Sequence, residues 1–311
     1  MNVRNYTIII EFILVGFSEF KDLQLLLFIM FLLMYIITVL GNTSIILAYT
    51  LTTILNTPMY LFLTHFSFLE ICYVTSTLPK LLSNLAGDKT ISFYNCALQM
   101  YCFFLLVGTE CCMLAAMAYD RYNAICHPLL YSTIMNNTVC IQLIGGSWLI
   151  AAVNSLIHTA LTFSLPFCND RTINHFFCDF PSVLKLACTD IWITETVSFI
   201  TGGSIIVGSL MLTIISYTLI ILTILKTYSR SNKAFSTCTS HFMVITIFYG
   251  SGMFMYLGPN TKYAKYQERL VSLMYTIIAP LLNPFIYSLR NNEVKLAIRH
   301  SLSLIISVHK Y

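Results

Sequence analysis

The chain has 311 residues, of which 57% are hydrophobic and only 10% charged, with a formal net charge of +4. Soluble domains carry about 25% charged residues, so an ordinary water-soluble fold is excluded and the chain reads as a membrane protein. The positive charge is modest and forms no Lys/Arg block or zinc-type Cys/His spacing, which excludes nucleic acid as a partner. Walker A, H-E-x-x-H and G-x-S-x-G patterns are also absent, so an enzyme is not expected.

Residues 1–22, MNVRNYTIIIEFILVGFSEFKD, form a tail whose apolar patch is interrupted by Glu11 and lacks a small-residue cleavage site. No removable signal peptide is expected, and the first spanning helix should act as the targeting signal. Uncharged runs of about 20 residues or more, the length that crosses hydrocarbon, predict seven spans. They lie at 23–51, 58–84, 94–119, 139–163, 196–225, 234–258 and 269–289. The first two share one run free of Asp, Glu, Lys and Arg from Leu23 to Leu69, broken at Asn56-Thr57-Pro58. Proline is tolerated in a first helical turn because its missing N–H would be unpaired there anyway. At 291–307, Lys295 and Arg299 stand among Val294, Leu296, Ile298, Leu302 and Ile305, the pattern of an amphipathic helix lying on a membrane. The expected architecture is an all-α membrane protein: a tail (1–22), a seven-transmembrane helix bundle (23–290), then a short amphipathic C-terminal helix and tail (291–311).

Lys plus Arg balance between the two sides, so they do not orient the bundle. Asn5-Tyr6-Thr7 is a glycosylation acceptor, and Cys168, Cys178 and Cys188 fall between the fourth and fifth spans. Disulfides persist on the oxidising side, so N-terminus and loop are expected outside the plasma membrane. Asn136-Asn137-Thr138 then faces inward and is a chance match. Cys96, at the start of the third span, makes a fourth outer cysteine, and four cysteines allow three pairings that spacing does not separate. The other seven, Cys72, Cys102, Cys111, Cys112, Cys126, Cys140 and Cys238, read as small apolar residues in or beside helices.

Glu70 and Glu110 lie inside predicted spans, where an ionisable group is costly and points to function. Glu110 and Arg121 of MAYDRYNAIC are almost three full turns apart, so they share an inward face. Two acids meeting in a low-dielectric interior need a cation or a shared proton; separate protonation with local hydrogen bonds is the alternative. The outer halves of the third, fifth and sixth spans are uncharged, aromatic and dotted with hydroxyls and glycines. They suit either a cavity for a small neutral ligand or close helix packing. The run His175-Phe-Phe-Cys178-Asp179 resembles a metal site only if Cys178 keeps its thiol. The seventh span has no lysine between Leu270 and Leu289, which disfavours a retinal Schiff base.

Six motifs stand in order: Gly41-Asn42, PMYLFL from Pro58, MAYDRYNAIC from Met117, Ser216-Tyr217, KAFSTCTSH from Lys233, and PLLNPFIYSLR from Pro280. Together they resemble, over nearly the whole chain, the tetrapod-type olfactory receptors of the rhodopsin-like seven-helix receptor family. The resemblance implies disulfides Cys96–Cys178 and Cys168–Cys188. It implies a sodium and polar-network site at Glu70 and Glu110 with Asn42 and Asn283, and no other cofactor. It implies a cytoplasmic switch of Asp120 and Arg121 with Tyr217, Asn283, Pro284 and Tyr287. An odorant pocket would be lined by Phe103, Phe104, Val107, Gly108, Thr201, Ile205, Tyr249, Met253, Tyr256 and Thr276.

The implied partners are a small odorant, membrane lipid and a heterotrimeric stimulatory G protein that raises cyclic AMP, in sensory cilia. Lys226, Arg230, Lys233, Arg290 and Lys295 would face the G protein and anionic lipid. Departures from the family pattern are Glu70 where Asp is commoner, Asn123 in place of Val on a surface expected to face the G protein, and Phe103 where amine receptors carry an acid. No acid occurs between Tyr228 and Asn260, so Arg121 must rest on Asp120 or on hydroxyls such as Tyr217, Thr239 or Ser240. Rival readings are a non-signalling scaffold and a secondary transporter relaying ions through the two glutamates. The transporter predicts repeated halves and paired Gly/Pro interruptions, which the sequence lacks.

Overall fold

The computed structural model describes residues 10–52, 57–168, 170–226, 242–250, 264–290 and 296, with backbone alone for 264–268 and 287–290. The uncharged runs become α1 (Gln24–Leu51), α2 (Pro58–Leu85), α3 (Phe93–Cys126), α5 (Asn137–Phe163) and α7 (Trp192–Lys226). A short α4 (Tyr131–Ile134) precedes α5, and α6 (Phe180–Leu184) precedes α7. Helix α8 is described over 242–250. The last rod is α9 (Ala264–Leu273), a π-helical turn (Met274–Ile278) and α10 (Ala279–Arg290). Among the described residues, six helices are long and apolar enough to span a membrane; α8 belongs to the sixth predicted span, expected at 234–258. Asn5, Met253, Tyr256, Arg230, Lys233, Thr239, Ser240, Lys295 and the amphipathic segment 291–307, apart from the isolated helical residue Leu296, lie outside the described residues, as do the side chains of Tyr287 and Arg290.

Local chemistry sets where the helices begin. Pro58 opens α2 in its first turn. The Ser92 hydroxyl accepts from the Asn95 N–H to cap α3, and Asn136 Oδ1 accepts from the Val139 N–H to cap α5; each cap contributes about 1 kcal/mol. Asn136 is the second glycosylation match, and its amide nitrogen donates to the Thr133 carbonyl. The third span was expected to stop at 119, but α3 continues to Cys126. Its charged end stays helical because Asp120 is buried against partners, as described below.

Helix α3 is the axis of the bundle and packs on α2, α5 and α7, while α1 packs on α2 and α10. Gly41 lets α10 approach: a Cβ there would stand 3.1 Å from Pro284 Cβ. Large apolar side chains on α1, α5 and α7, such as Leu25, Leu40, Leu149, Phe199 and Leu225, are exposed, as a lipid-facing surface requires.

A small three-stranded sheet, unexpected from the sequence, covers one end. β1 (Glu11–Leu14) lies between β2 (Thr90–Ser92), antiparallel, and β3 (Thr172–Ile173), parallel. Phe12 and Leu14 point inward and are buried, while Glu11 and Ile13 are exposed, the period-2 alternation of a half-buried strand. Disulfides join Cys96 to Cys178 and Cys168 to Cys188 at this same end. The first closes a separation of 82 residues, a restraint on the unfolded chain of about 4 kcal/mol. Gln99 locks the junction: its amide nitrogen donates to the Ser76 carbonyl and its oxygen accepts from the Cys178 N–H.

Candidate ligand and switch sites

Below the bridged end lies an aromatic layer. The Phe103 ring stands 4.8 Å from Phe177 of the 164–191 loop and 5.8 Å from Tyr73 on α2. Phe104 packs 4.6 Å from His158 on α5 and 5.8 Å from Phe180 on α6. Val107 and Ile205 are partly buried against the same core. Tyr249 forms a floor: its hydroxyl donates to Ser209 Oγ at 2.7 Å, and Ser209 donates to the Ile206 carbonyl. Thr276 is buried and donates to the Ser272 carbonyl. Thr201 pairs with His158 Nε2 at 3.0 Å. Gly108 departs from the set, because a Cβ on it would stand 3.1 Å from Ala151 Cβ. Its missing side chain is what lets α3 approach α5, so it serves that contact rather than lining a chamber.

Midway down, Glu70 and Glu110 are 0% and 1% exposed and within electrostatic reach of each other. Asn283 Nδ2 donates to Glu70 Oε1. Glu70 Oε2, both Glu110 oxygens and the Tyr73 hydroxyl have no hydrogen-bond partner among the described residues. Asn42 is turned away onto its own helix, donating to the Thr38 carbonyl. Three buried carboxylate oxygens without a donor cannot all carry charge without a compensating cation or proton.

At the opposite end from the disulfides, Arg121 Nη2 pairs with Asp120 Oδ2 at 2.8 Å. Tyr131 of α4 donates its hydroxyl to Asp120 Oδ1 at 2.7 Å. Asp120 therefore spends both oxygens, one on the arginine and one on a tyrosine from the following loop. Partial burial first, then the Asp120 charge, raises the Tyr131 pKa, so it stays a donor. Asn123 was expected on a surface that faces the G protein. It is buried, with its amide donating to the Tyr119 carbonyl, because the α3 face carrying it turns into the bundle. Tyr217 is buried and meets Phe242 edge-on. Cys126 tethers α3 to α7 through the Thr223 hydroxyl.

The olfactory receptor family model matches residues 31–304. The chain belongs to the olfactory receptor family. It is 45% identical to olfactory receptor 5G29 of Mus musculus, over 97% of each chain. It is 46% identical to olfactory receptor 5I1 of Homo sapiens, over 94% of each. The structure matches that of squid rhodopsin with a TM-score of 0.73 at 17% identity, covering 92% of this chain and 82% of the other. It is therefore a multi-pass, seven-transmembrane, odorant-sensing G-protein-coupled receptor, which takes a small-molecule ligand, couples to a G protein and is not an enzyme.

Sequence reasoning looked for carboxylates within the spans of this olfactory receptor and so passed over its neutral polar groups. His158 was legible as an imidazole inside an uncharged run, one turn after Asn154. Tyr131 and Arg269 had no local signal. Arg269, buried on α9, donates to the Gly16 carbonyl and to Glu19 Oε1 at 2.9 Å, holding the N-terminal segment over the bridged end. Asn84 donates to the Leu14 carbonyl at 2.7 Å and does the same from α2.

His175, in the loop beside Arg269, forms no metal site with Cys178, which is in a disulfide. Its Nε2 meets Ser272 Oγ at 3.2 Å, and its ring stacks on Phe176. Burial first, then the charges of Arg269 and Lys185, push its pKa from 6.5 down to about 3. Between those values the unfolded chain binds a proton that the folded receptor refuses, so stability is lost as pH falls below about 6.5. Thermal unfolding of the detergent-solubilised receptor should show a midpoint that drops across this window, with a shallower slope in His175→Asn. An unchanged slope would remove His175 from the account. At the other end, Tyr131→Phe strips one donor from buried Asp120, an interaction of about 1.5–3 kcal/mol. Ligand-independent nucleotide exchange on the G protein, normalised to surface receptor, should rise by about tenfold; an unaltered basal rate would show that Tyr131 does not hold the resting state.

Proposed function

We propose that this receptor binds small, neutral, apolar odorants beneath its disulfide-bridged end, with that end and the N-terminus outside the plasma membrane of sensory cilia. Binding shifts the equilibrium toward an active arrangement that engages a stimulatory, olfactory-type G protein and raises cyclic AMP. The observation that carries this reading is the uncharged aromatic layer of Phe103, Phe104 and Tyr249 around α3, the same helix that ends in the Asp120–Arg121 pair. A ligand that packs against the layer better in one helix arrangement moves the equilibrium by that difference in affinity and no more. Phe103 offers no counter-ion, so a cationic amine is disfavoured. Met253, Tyr256 and Thr276 complete the proposed lining. Arg121, released from Asp120, would meet the G protein among the inner helix ends, with Tyr217 and Tyr287 rearranging beside it. Lys226, Arg230, Lys233, Arg290 and Lys295 are proposed to meet the G protein and anionic lipid.

Glu70, Glu110 and Asn283 fit a sodium ion, because three donor-less carboxylate oxygens sit buried together. Bound sodium would supply the charge that lets both carboxylates stay ionised.

Cells expressing the chain should answer a broad odorant panel with dose-dependent cyclic AMP, and Arg121→Ala should abolish the response at equal surface level. Silence across the panel, or a response that survives the mutation, would sink the receptor mechanism. Sodium should raise the unfolding midpoint of the purified wild type but not of Glu110→Gln, compared against choline at equal ionic strength. A wild type indifferent to sodium leaves the shared proton as the explanation.

A further inference from the structure

Helices α5 and α7 carry a polar stripe of which the implied odorant pocket includes only Thr201. Asn154 and His158 are one turn apart on α5, and Ser198 and Thr201 one turn apart on α7, so each pair shares a helix face. All but Thr201 are buried, and Thr201 is half-buried. The two faces are joined by the contact between His158 Nε2 and Thr201 Oγ1. Three atoms of this stripe have no hydrogen-bond partner among the described residues: Asn154 Oδ1, His158 Nδ1 and Ser198 Oγ. Buried polar atoms are nearly always paired, so three orphans in one stripe are a site awaiting its partner.

The Thr201 hydroxyl has one proton, and the Val197 carbonyl lies within hydrogen-bond reach of it at 2.9 Å. With that proton given to Val197, the Thr201 oxygen accepts from His158 Nε2–H, and Nδ1 presents a bare lone pair. A doubly protonated ring would bury a charge and an N–H with no acceptor among the described residues. The ring cannot slide away: Phe104 packs 4.6 Å from it, and a Cβ on Gly202 would stand 3.2 Å from its Cε1. Phe104 also belongs to the proposed odorant layer, so the His158 ring lies against that layer.

We infer that His158 and Ser198 form a polar subsite that selects odorants bearing a hydroxyl group. The odorant O–H donates to His158 Nδ1, and its oxygen accepts from the Ser198 hydroxyl. An alcohol or phenol does both through one atom, whereas an ether, aldehyde or ester has no proton to give. A site built around a hydrogen bond rejects the analogue that lacks it, because its own buried atoms are then left unpaired. This inference rests on the odorant-receptor reading, and the test separates the two.

Straight-chain alkanols of graded length, each paired with the methyl ether of matching size, are applied to cells expressing the full chain. Cyclic AMP and surface receptor are measured together. In the wild type each active alcohol should be at least about tenfold more potent than its ether, the worth of one buried hydrogen bond. His158→Phe keeps the ring volume and should erase that gap. His158→Gln should keep it, since the amide nitrogen can serve Thr201 while the amide oxygen replaces Nδ1. Thr201→Val frees Nε2, allows the other tautomer, and should shift preference toward the ethers. The ligand-independent reading is 15N NMR of histidine-labelled receptor, with His158 assigned by its loss in His158→Gln. The Nε2–H tautomer is expected, and a protonated Nδ1 in the wild type overturns the proposal. Potencies that rank each ether with its alcohol, or a gap that survives His158→Phe, also overturn the subsite while leaving the receptor intact. A wild type silent to every probe and to the wider odorant panel overturns the receptor reading instead.

Discussion

Hydrocarbon offers no hydrogen bonds, and that single property of the solvent places almost every polar group in this receptor. Leucines and isoleucines of α1, α5 and α7 face outward, where in water they would aggregate. Glutamates, asparagines and histidines are forced inward, where each must find a partner or bear the cost of desolvation. Most hydroxyls solve the problem locally by donating to a carbonyl one turn back, as Thr109 and Thr213 do. The groups that do not are therefore conspicuous. Glu70, Glu110 and His158 are left with orphan atoms, and in a membrane interior such an atom is expensive enough to imply a purpose.

These groups are arranged at three depths about α3. Near the bridged end, His158 and Thr201 flank the aromatic layer. At mid-depth the two glutamates are buried within electrostatic reach of each other, with Asn283 bonded to Glu70. At the far end Asp120 holds Arg121 and is itself held by Tyr131. Helix α3 passes all three, packed on α5 and α7. The aromatic layer is bounded above by Phe177 and Phe180, which the Cys96–Cys178 bridge and Gln99 fix in place. A rigid roof gives a ligand something to push against; without it, binding energy would go into deforming the loop.

The spans and the motifs were legible because their signals are local. A run such as Leu23 to Leu69 without a charge can only be membrane helix, and the break at Pro58 follows from proline's missing N–H. MAYDRYNAIC announces a charged helix end within ten letters. The N-terminal strand was not legible: Glu11–Leu14 is four residues, too short to stand out, and its meaning depends on Ile91 and Ile173, far along the chain. Gly108 misled for a related reason. A glycine in a helix signals close approach, but only the position of Ala151 says which neighbour approaches.

By itself the sequence determined the membrane class, the number of spans, the buried carboxylates and the family, because hydrophobic length and motif spacing are properties of a linear string. Only the tertiary structure decided that Asp120 is shared between Arg121 and Tyr131, that Asn123 is buried, and that His158 keeps an unpaired nitrogen. Each of these is a question of which donor meets which acceptor across separate helices. A hydrogen bond tolerates errors of only a few tenths of an ångström, and no residue spacing along one chain carries that information.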